Sequence, residues 1–586
     1  MTYIPSGGGG TPYTELNDGD NLGDVMASSG AGAYRISGDS AVVIDAIIAQ
    51  SAKQLIVGVD KETSIITITG DGSGSFKIDL FVGSVFENVT FNIDVSAGAC
   101  DSNILFHLVN SCYFLNCNIV FTALPNAMTY FCGDSTSNEY SPVELKSLSF
   151  TFFNTTVDKS GLFKKTTGIE SIGLSIDDIK VPLTANINYT TEYFIRVSRT
   201  VGAYINNIRT VSPGATTKYY LSRTINTSFG VIRFYDSSSD YGRDLAECTI
   251  SNIKNIDLTV QGIKNNISNI DVKYFYAING DTSGYGENFA NNIYVEEDLG
   301  LQYGVLNLSN FYVKERFVFS TGGKLNGSNG FVEHNSSTTS ITNSCFINNV
   351  EFESPPAVGS GSTLKASNCI FSGISSDTLS ISDGSYHTLV NCRIKTKFAS
   401  SEQYTKLANC DITYSVTLSG QDMEISNCRF LSTLTDTNGG NMYSLCYIGS
   451  TCTFTGTSDI KISDSYIHGA CDFSSANSIK ISNCELNSTS DFSGADNITV
   501  IGSDFTGTIL LSGDDNTFSN NHCAITIEIS GNRNGVKGNH VYGGVGANSI
   551  DISAGTYNDV TGNICAGAVA DTGGGAGNVI TPNIEY

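Results

Sequence analysis

Ile425-Ser426-Asn427-Cys428-Arg429-Phe430 reads apolar, any, Asn, small, any, apolar, and that six-residue pattern recurs along the chain. It returns as Leu308-Ser309-Asn310-Phe311-Tyr312-Val313, as Ile481-Ser482-Asn483-Cys484-Glu485-Leu486 and as Val536-Lys537-Gly538-Asn539-His540-Val541. Its last residue falls at 295, 313, 332, 352, 371, 394, 412, 430, 448, 467, 486, 505, 523, 541 and 565, and twelve of these fourteen intervals are 18 to 20 residues. A fixed period of this size means a solenoid, because one short turn cannot bury its apolar face without a neighbour stacked on it. The two longer intervals, 23 and 24, are what a coil with an extended loop gives.

Residue types at each column set the geometry. The last column is Val, Phe, Ile, Leu or Cys every time, so it points inward and stacks on itself. The third column is Asn, Asp or Gly in fourteen of fifteen coils, Leu445 being the exception, and these residues tolerate a left-handed backbone, so the column is a sharp corner. Alternation restarts after it. The inward residue just past the corner is Cys369, Cys392, Cys410, Cys428, Cys446 and Cys484, an interior cysteine rung. Asn477, Asn497, Asn516, Asn534 and Asn558 suggest a second corner ahead of the motif. Two corners and a looser loop in about 18 to 19 residues predict three short strands per coil.

This pattern resembles the pectate-lyase-like β-helix superfamily, which implies an all-β, single-stranded right-handed parallel β-helix with interior ladders and Asn at a tight turn. The resemblance is strong over 290–570 and weaker upstream, where Phe86-Glu87-Asn88-Val89-Thr90-Phe91, Phe114-Leu115-Asn116-Cys117-Asn118-Ile119 and Ile267-Ser268-Asn269-Ile270-Asp271-Val272 still fit. The expected organisation is a Gly-rich N-terminal arm over 1–30, a cap and first coils over 31–85, an irregular β-helix with insertions over 86–290, a regular one over 291–570, and a C-terminal cap or tail over 571–586. Stretch 175–250 is the least regular. Ser40 to Ala52 is read as a capping helix, although Val42-Val43-Ile44 equally permits a strand.

Composition agrees with one elongated repeat domain. The 586 residues include 60 Gly, 9 Pro, no Trp and 15% charged residues, a turn-rich and β-rich balance. A formal charge of -25 argues against nucleic acid, which needs clustered Lys and Arg. No run of 18 apolar residues predicts membrane insertion, and Met1-Thr2-Tyr3-Ile4-Pro5 has neither the basic nor the apolar region of a secretory signal. The sixteen cysteines lack metal-ligand spacing and are read as reduced and buried.

Catalytic motifs of the GxSxG, HExxH and P-loop types are absent, and no cofactor or metal is expected. The outward column past the corner carries the candidate site: Asp411, Arg429, Tyr447 and Tyr466, with His522, are read as glycan-binding, and Glu485 and Asp504 as a catalytic carboxylate pair. The same column reads equally as a structural ladder, with Arg393, Asp411 and Arg429 alternating in charge. The chain resembles bacteriophage tailspikes and receptor-binding fibres in its architecture. That resemblance implies a virion protein assembled in the host cytoplasm, homotrimeric, docking on other virion proteins through its N-terminal region and attaching to host surface polysaccharide. The alternatives are a glycosidase or polysaccharide lyase with its groove on the helix face, or a purely structural decoration protein or adhesin.

Overall fold

The computed structural model describes residues 13–585, apart from 29, 51, 109–111, 135–142, 153–159, 166–170, 173, 184–186, 190–192, 198–199, 212–220, 224–231, 235–244, 247, 262–263, 279–286, 303, 320–322, 334–339, 342–343, 360, 375, 383–385 and 544–547. The chain is an all-β parallel β-solenoid of about 23 turns and is 2% helical. It divides into two compact units, Met1–Asn326 and Gly327–Tyr586.

In the second unit one coil consists of Glu424–Ser426, the corner at Asn427, Arg429–Phe430 and Leu434–Asp436. Each strand pairs in parallel with its counterpart one coil on, Ile425 with Tyr443, Phe430 with Ile448 and Leu434 with Cys452. The last motif column points inward as read: every residue from Val295 to Cys565 in it is at most 2% exposed. All fifteen corner residues, Asn292 to Gly562 and including Leu445, have φ between +50° and +69°. On the closing strands Phe454 and Phe473, and Phe492 just past the next one, stack nearly parallel at 5.0 and 4.8 Å, each burial contributing roughly 1.5–3 kcal/mol. In the 23-residue coil, six residues separate Phe371 from Thr378, where the next coil has two between Ile394 and Lys397.

The second corner differs from its reading. Only Asn497 is itself left-handed; Asn477 precedes left-handed Ser478, and Asn516, Asn534 and Asn558 follow left-handed Asp515, Arg533 and Tyr557. Those three asparagines are at most 1% exposed, because their carboxamides have work inside: Asn516 N–H donates to Asn534 Oδ1 (3.0 Å) and Asn534 N–H to Asn558 Oδ1 (2.9 Å).

The first unit winds more loosely. Its corners at Asn88, Asn116, Ser147, Asp178, Asn207 and Asn252 stand 28 to 45 residues apart, and the surplus includes small parallel sheets, such as Ser171–Ile172 with Thr200–Val201 and Leu245–Ala246. Its core is aromatic in the early coils, with Phe86, Phe91, Phe106, Phe114 and Phe131 packed ring to ring at 4.9 to 6.0 Å. Ser40 to Ala52 is not a helix. Asp39 is left-handed, and Val42 and Ile44 alternate inward on strand Ala41–Ile44. The helix lies earlier, at Leu22–Ser28, where Asn21 Oδ1 accepts the Asp24 N–H as an N-cap and Leu22 and Met26 are buried. Of the stretch read as an arm, Thr14–Leu16 pairs with Tyr34–Ile36 and residues 1–12 lie outside the described residues. Of the stretch read as a tail, Ile584–Glu585 pairs with Ile564–Cys565.

Candidate functional site

Two outward faces of the second unit flank the Asn corner, and they differ in how their polar groups are committed. On the strand after the corner the register places Asp411, Arg429, Tyr447, Tyr466, Glu485, Asp504, His522 and His540 opposite one another on successive coils. The residues named from the sequence are therefore in one file. Their contacts are mostly with each other. Tyr447 and Tyr466 are parallel at 5.5 Å, the Arg429 guanidinium lies 5.6 Å over Tyr447, and His468 lies parallel to Tyr466 at 6.3 Å. The ring faces are thus turned on neighbours, and what the pair offers to solvent is edges and hydroxyls. Flat sugar stacking on Tyr447 and Tyr466 does not follow from this arrangement, since stacking needs an open face.

Asn487 Nδ2 donates to Tyr466 Oη (2.6 Å) and to Glu485 Oε1 (3.1 Å), tying the aromatic and acidic parts of the file. His522 Nδ1 lies 3.7 Å from Asp504 Oδ1, both side chains more than 60% exposed. His540 packs on Tyr542 at 4.0 Å. Glu485 and Asp504 face each other across one strand spacing, about 4.8 Å between backbones. The alternating-charge reading fails at its centre: among the described residues no ion pair joins Asp411 to Arg393 or Arg429, and Asp411 Oδ1 is buried without a hydrogen-bond partner.

On the strand before the corner, the sequence reading missed a depression of about 550 Å³. It is lined by Lys406, Glu424, Met442, Lys461 and Lys480 along one column and by Ser426, Ser444, Ser463 and Ser482 along the next. A smaller depression of about 200 Å³ shares Lys461 and Lys480 and adds Asp459, Ser478, Asn497 and Thr499. Lys406 is paired with Glu424 at 2.9 Å. Lys461 and Lys480 are opposite each other on adjacent coils, exposed, and without an ion pair among the described residues. The signal was present in the sequence as the residue two before each corner Asn's predecessor and the serine at motif position two, columns that carry no apolar repeat. Under the depression Tyr443 Oη donates to Asp436 Oδ2 (2.8 Å), with Asn441 Nδ2 donating to the same carboxylate. Burial pushes the Asp436 carboxyl above the usual carboxylate range despite these donors.

No family profile and no curated protein matches this sequence. Among solved structures, the PL6 family alginate lyase AlyGC is similar over 98% of this chain and 100% of that chain, at 9% identity and a TM-score of 0.23.

Proposed function

We propose that the chain is an attachment protein of the tailspike or fibre type that binds cell-surface polysaccharide along the outward faces of its regular coils. One observation carries the reading: the file from Arg429 to His522 sets hydroxyl, carboxylate, amide and imidazole groups on rigid strands at one coil spacing, which suits hydrogen bonding to an extended repeating glycan. In this reading the protein is virion-borne and homotrimeric, with its N-terminal region docked on other virion proteins. Binding is favoured over cleavage because Asp504 is 65% exposed, so Glu485 and Asp504 sit where water is not excluded.

The test is retention on an array of bacterial capsular polysaccharides and lipopolysaccharides, with reducing-end release measured in parallel. The expected result is retention without release, and weaker retention for Glu485→Gln, Asp504→Asn and Tyr466→Phe. Release that disappears with Glu485→Gln and Asp504→Asn would convert the reading to a glycoside hydrolase or lyase. Retention of no glycan at all would overturn it.

A further inference from the structure

We propose that Lys461 and Lys480 form a subsite for the carboxylate groups of an acidic polysaccharide, a substrate class that rests on the glycan-recognition reading above. The two ammonium groups project from partner positions on adjacent coils, about 4.8 Å apart at the backbone. Like charges directly opposite one another in a sheet are destabilising, and among the described residues no carboxylate pairs with either. The third lysine of the depression, Lys406, differs in being held by Glu424. An unrelieved lysine pair is the more notable in a chain whose formal charge is -25.

Both depressions open on these two side chains, so an anion between them is reachable from either side of the lysine column. Asp459 on the rim of the smaller one makes no ion pair with either lysine. The serine column supplies the rest of a glycan site. Ser444, Ser463 and Ser482 repeat at one coil spacing, and their hydroxyls donate and accept, as sugar hydroxyls require. Met442, 40% exposed, gives an apolar patch for a sugar's C–H face. One charge per coil matches a polymer carrying one carboxylate per sugar, whereas a neutral glycan would leave the lysines unrelieved.

The experiment uses the full chain with two probes of similar length, polygalacturonate and neutral dextran, and calorimetry at low and high salt. Wild-type protein should bind polygalacturonate, lose it with added salt, and bind dextran more weakly. The double variant Lys461→Gln/Lys480→Gln should weaken polygalacturonate binding about tenfold, the size expected for two exposed charge contacts, with a melting temperature no lower than that of wild type. Lys461→Arg/Lys480→Arg should restore it. Lys365→Gln, on the same column but outside the depression, should behave as wild type. Undiminished polygalacturonate binding by the glutamine variant, or equal binding of dextran, would overturn the subsite. Either result alongside positive retention on the glycan array would leave the attachment reading standing, so the two failures are distinguishable.

Discussion

Just past the sharp corner, the interior residue is cysteine in most coils from Cys369 to Cys484, whereas in the coils nearest the C-terminus it is Asn521, Asn539 and Asn563. Ser465 and Ser503 occupy the same position between and after the cysteines. One backbone need accounts for all three residue types. The left-handed corner turns the following N–H away from the strand ladder, and a buried donor must find an acceptor. It finds the side chain of the same position one coil on. Cys446 N–H donates to Ser465 Oγ (3.1 Å), Cys484 N–H to Ser503 Oγ (3.1 Å) and Ser503 N–H to Asn521 Oδ1 (2.9 Å), and where the next coil carries cysteine the N–H faces its sulfur, as Cys428 N–H faces Cys446. The line continues from Asn521 to Asn539 to Asn563 to Asn583, each step at 2.9 Å. The cysteines also donate, as Cys428 Sγ does to the Ser426 carbonyl at 3.3 Å. Burial pushes the Cys446 thiol up to about 12 and the Cys484 thiol to about 11, so both remain protonated donors at neutral pH. Sulfur and carboxamide do the same task with different strength, since thiol is the weaker partner and fills more of the apolar interior.

That difference ranks the substitutions. Asn539→Leu removes the acceptor for two Asn521 donors and the donor to the Phe518 carbonyl, leaving several buried groups unpaired at about 3–5 kcal/mol. Urea unfolding of the variant measures it, and a loss below about 1 kcal/mol would break the account of the asparagine line. Cys428→Val removes the sulfur that the Cys410 N–H faces and the thiol donor to the Ser426 carbonyl and should cost about 1–3 kcal/mol, whereas Cys428→Ser keeps an acceptor and a donor and should recover most of that. Equal stability of the valine and serine variants would mean that the rung is selected for volume alone.

Much of this was legible in the sequence, and the reason is local. In the second unit corner, rung and last column recur within six residues, so each coil announces itself and even the two long coils keep register. Leu445 shows that geometry overrides residue type, being left-handed like its neighbours. In the first unit Ser147, Asp178 and Asn207 are equally good corners, but 29 to 45 residues separate consecutive ones from Asp178 to Asn252, and a short-period search passes over them. The buried asparagines at 516, 534 and 558 were misplaced by one residue because Asn suits both a left-handed corner and a buried polar ladder. Only the carboxamide contacts separate the two roles. The candidate file after the corner was found because its aromatics and charges stand out, and the depression before the corner was missed because lysine and serine in outward columns look like ordinary surface.

The second corner sets the same demand and adds a titratable group. His387 is fully buried behind left-handed Tyr386, its Nδ1 accepts the Leu364 N–H at 3.0 Å, and Nε2 has no partner. Burial holds its pKa below the ordinary 6.5. The neutral form is therefore favoured by folding, and its contribution to stability is full above the unfolded value of 6.5 and is lost as pH falls through the folded one. Melting temperature should fall as pH drops below that value, and His387→Asn, which keeps an acceptor, should flatten that part of the profile. An unchanged slope would assign the acid sensitivity to other groups.

The smallest effect runs in the opposite direction. Leu445 holds φ +54° with a side chain that is 62% exposed, so it bears the cost of a left-handed backbone without contributing much burial. Its neighbours in the outer column are asparagines that bond carboxamide to carboxamide, Asn409 Nδ2 to Asn391 Oδ1 at 3.0 Å and Asn427 Nδ2 to Asn409 Oδ1 at 2.7 Å. Asn427 Oδ1 has no continuation at position 445, whereas beyond it Asn483 Nδ2 already donates to Asp464 Oδ1. Leu445→Asn should stabilise by about 1 kcal/mol, from relief of the left-handed strain and one regained side-chain bond. Leu445→Gly separates the two parts, since it relieves strain without extending the ladder and gives back some of the gain as unfolded-state entropy. If Asn and Gly stabilise equally, the exposed carboxamide ladder contributes nothing net. If Asn exceeds Gly, the outer column is a weaker, solvent-facing version of the buried line through Asn521, Asn539 and Asn563.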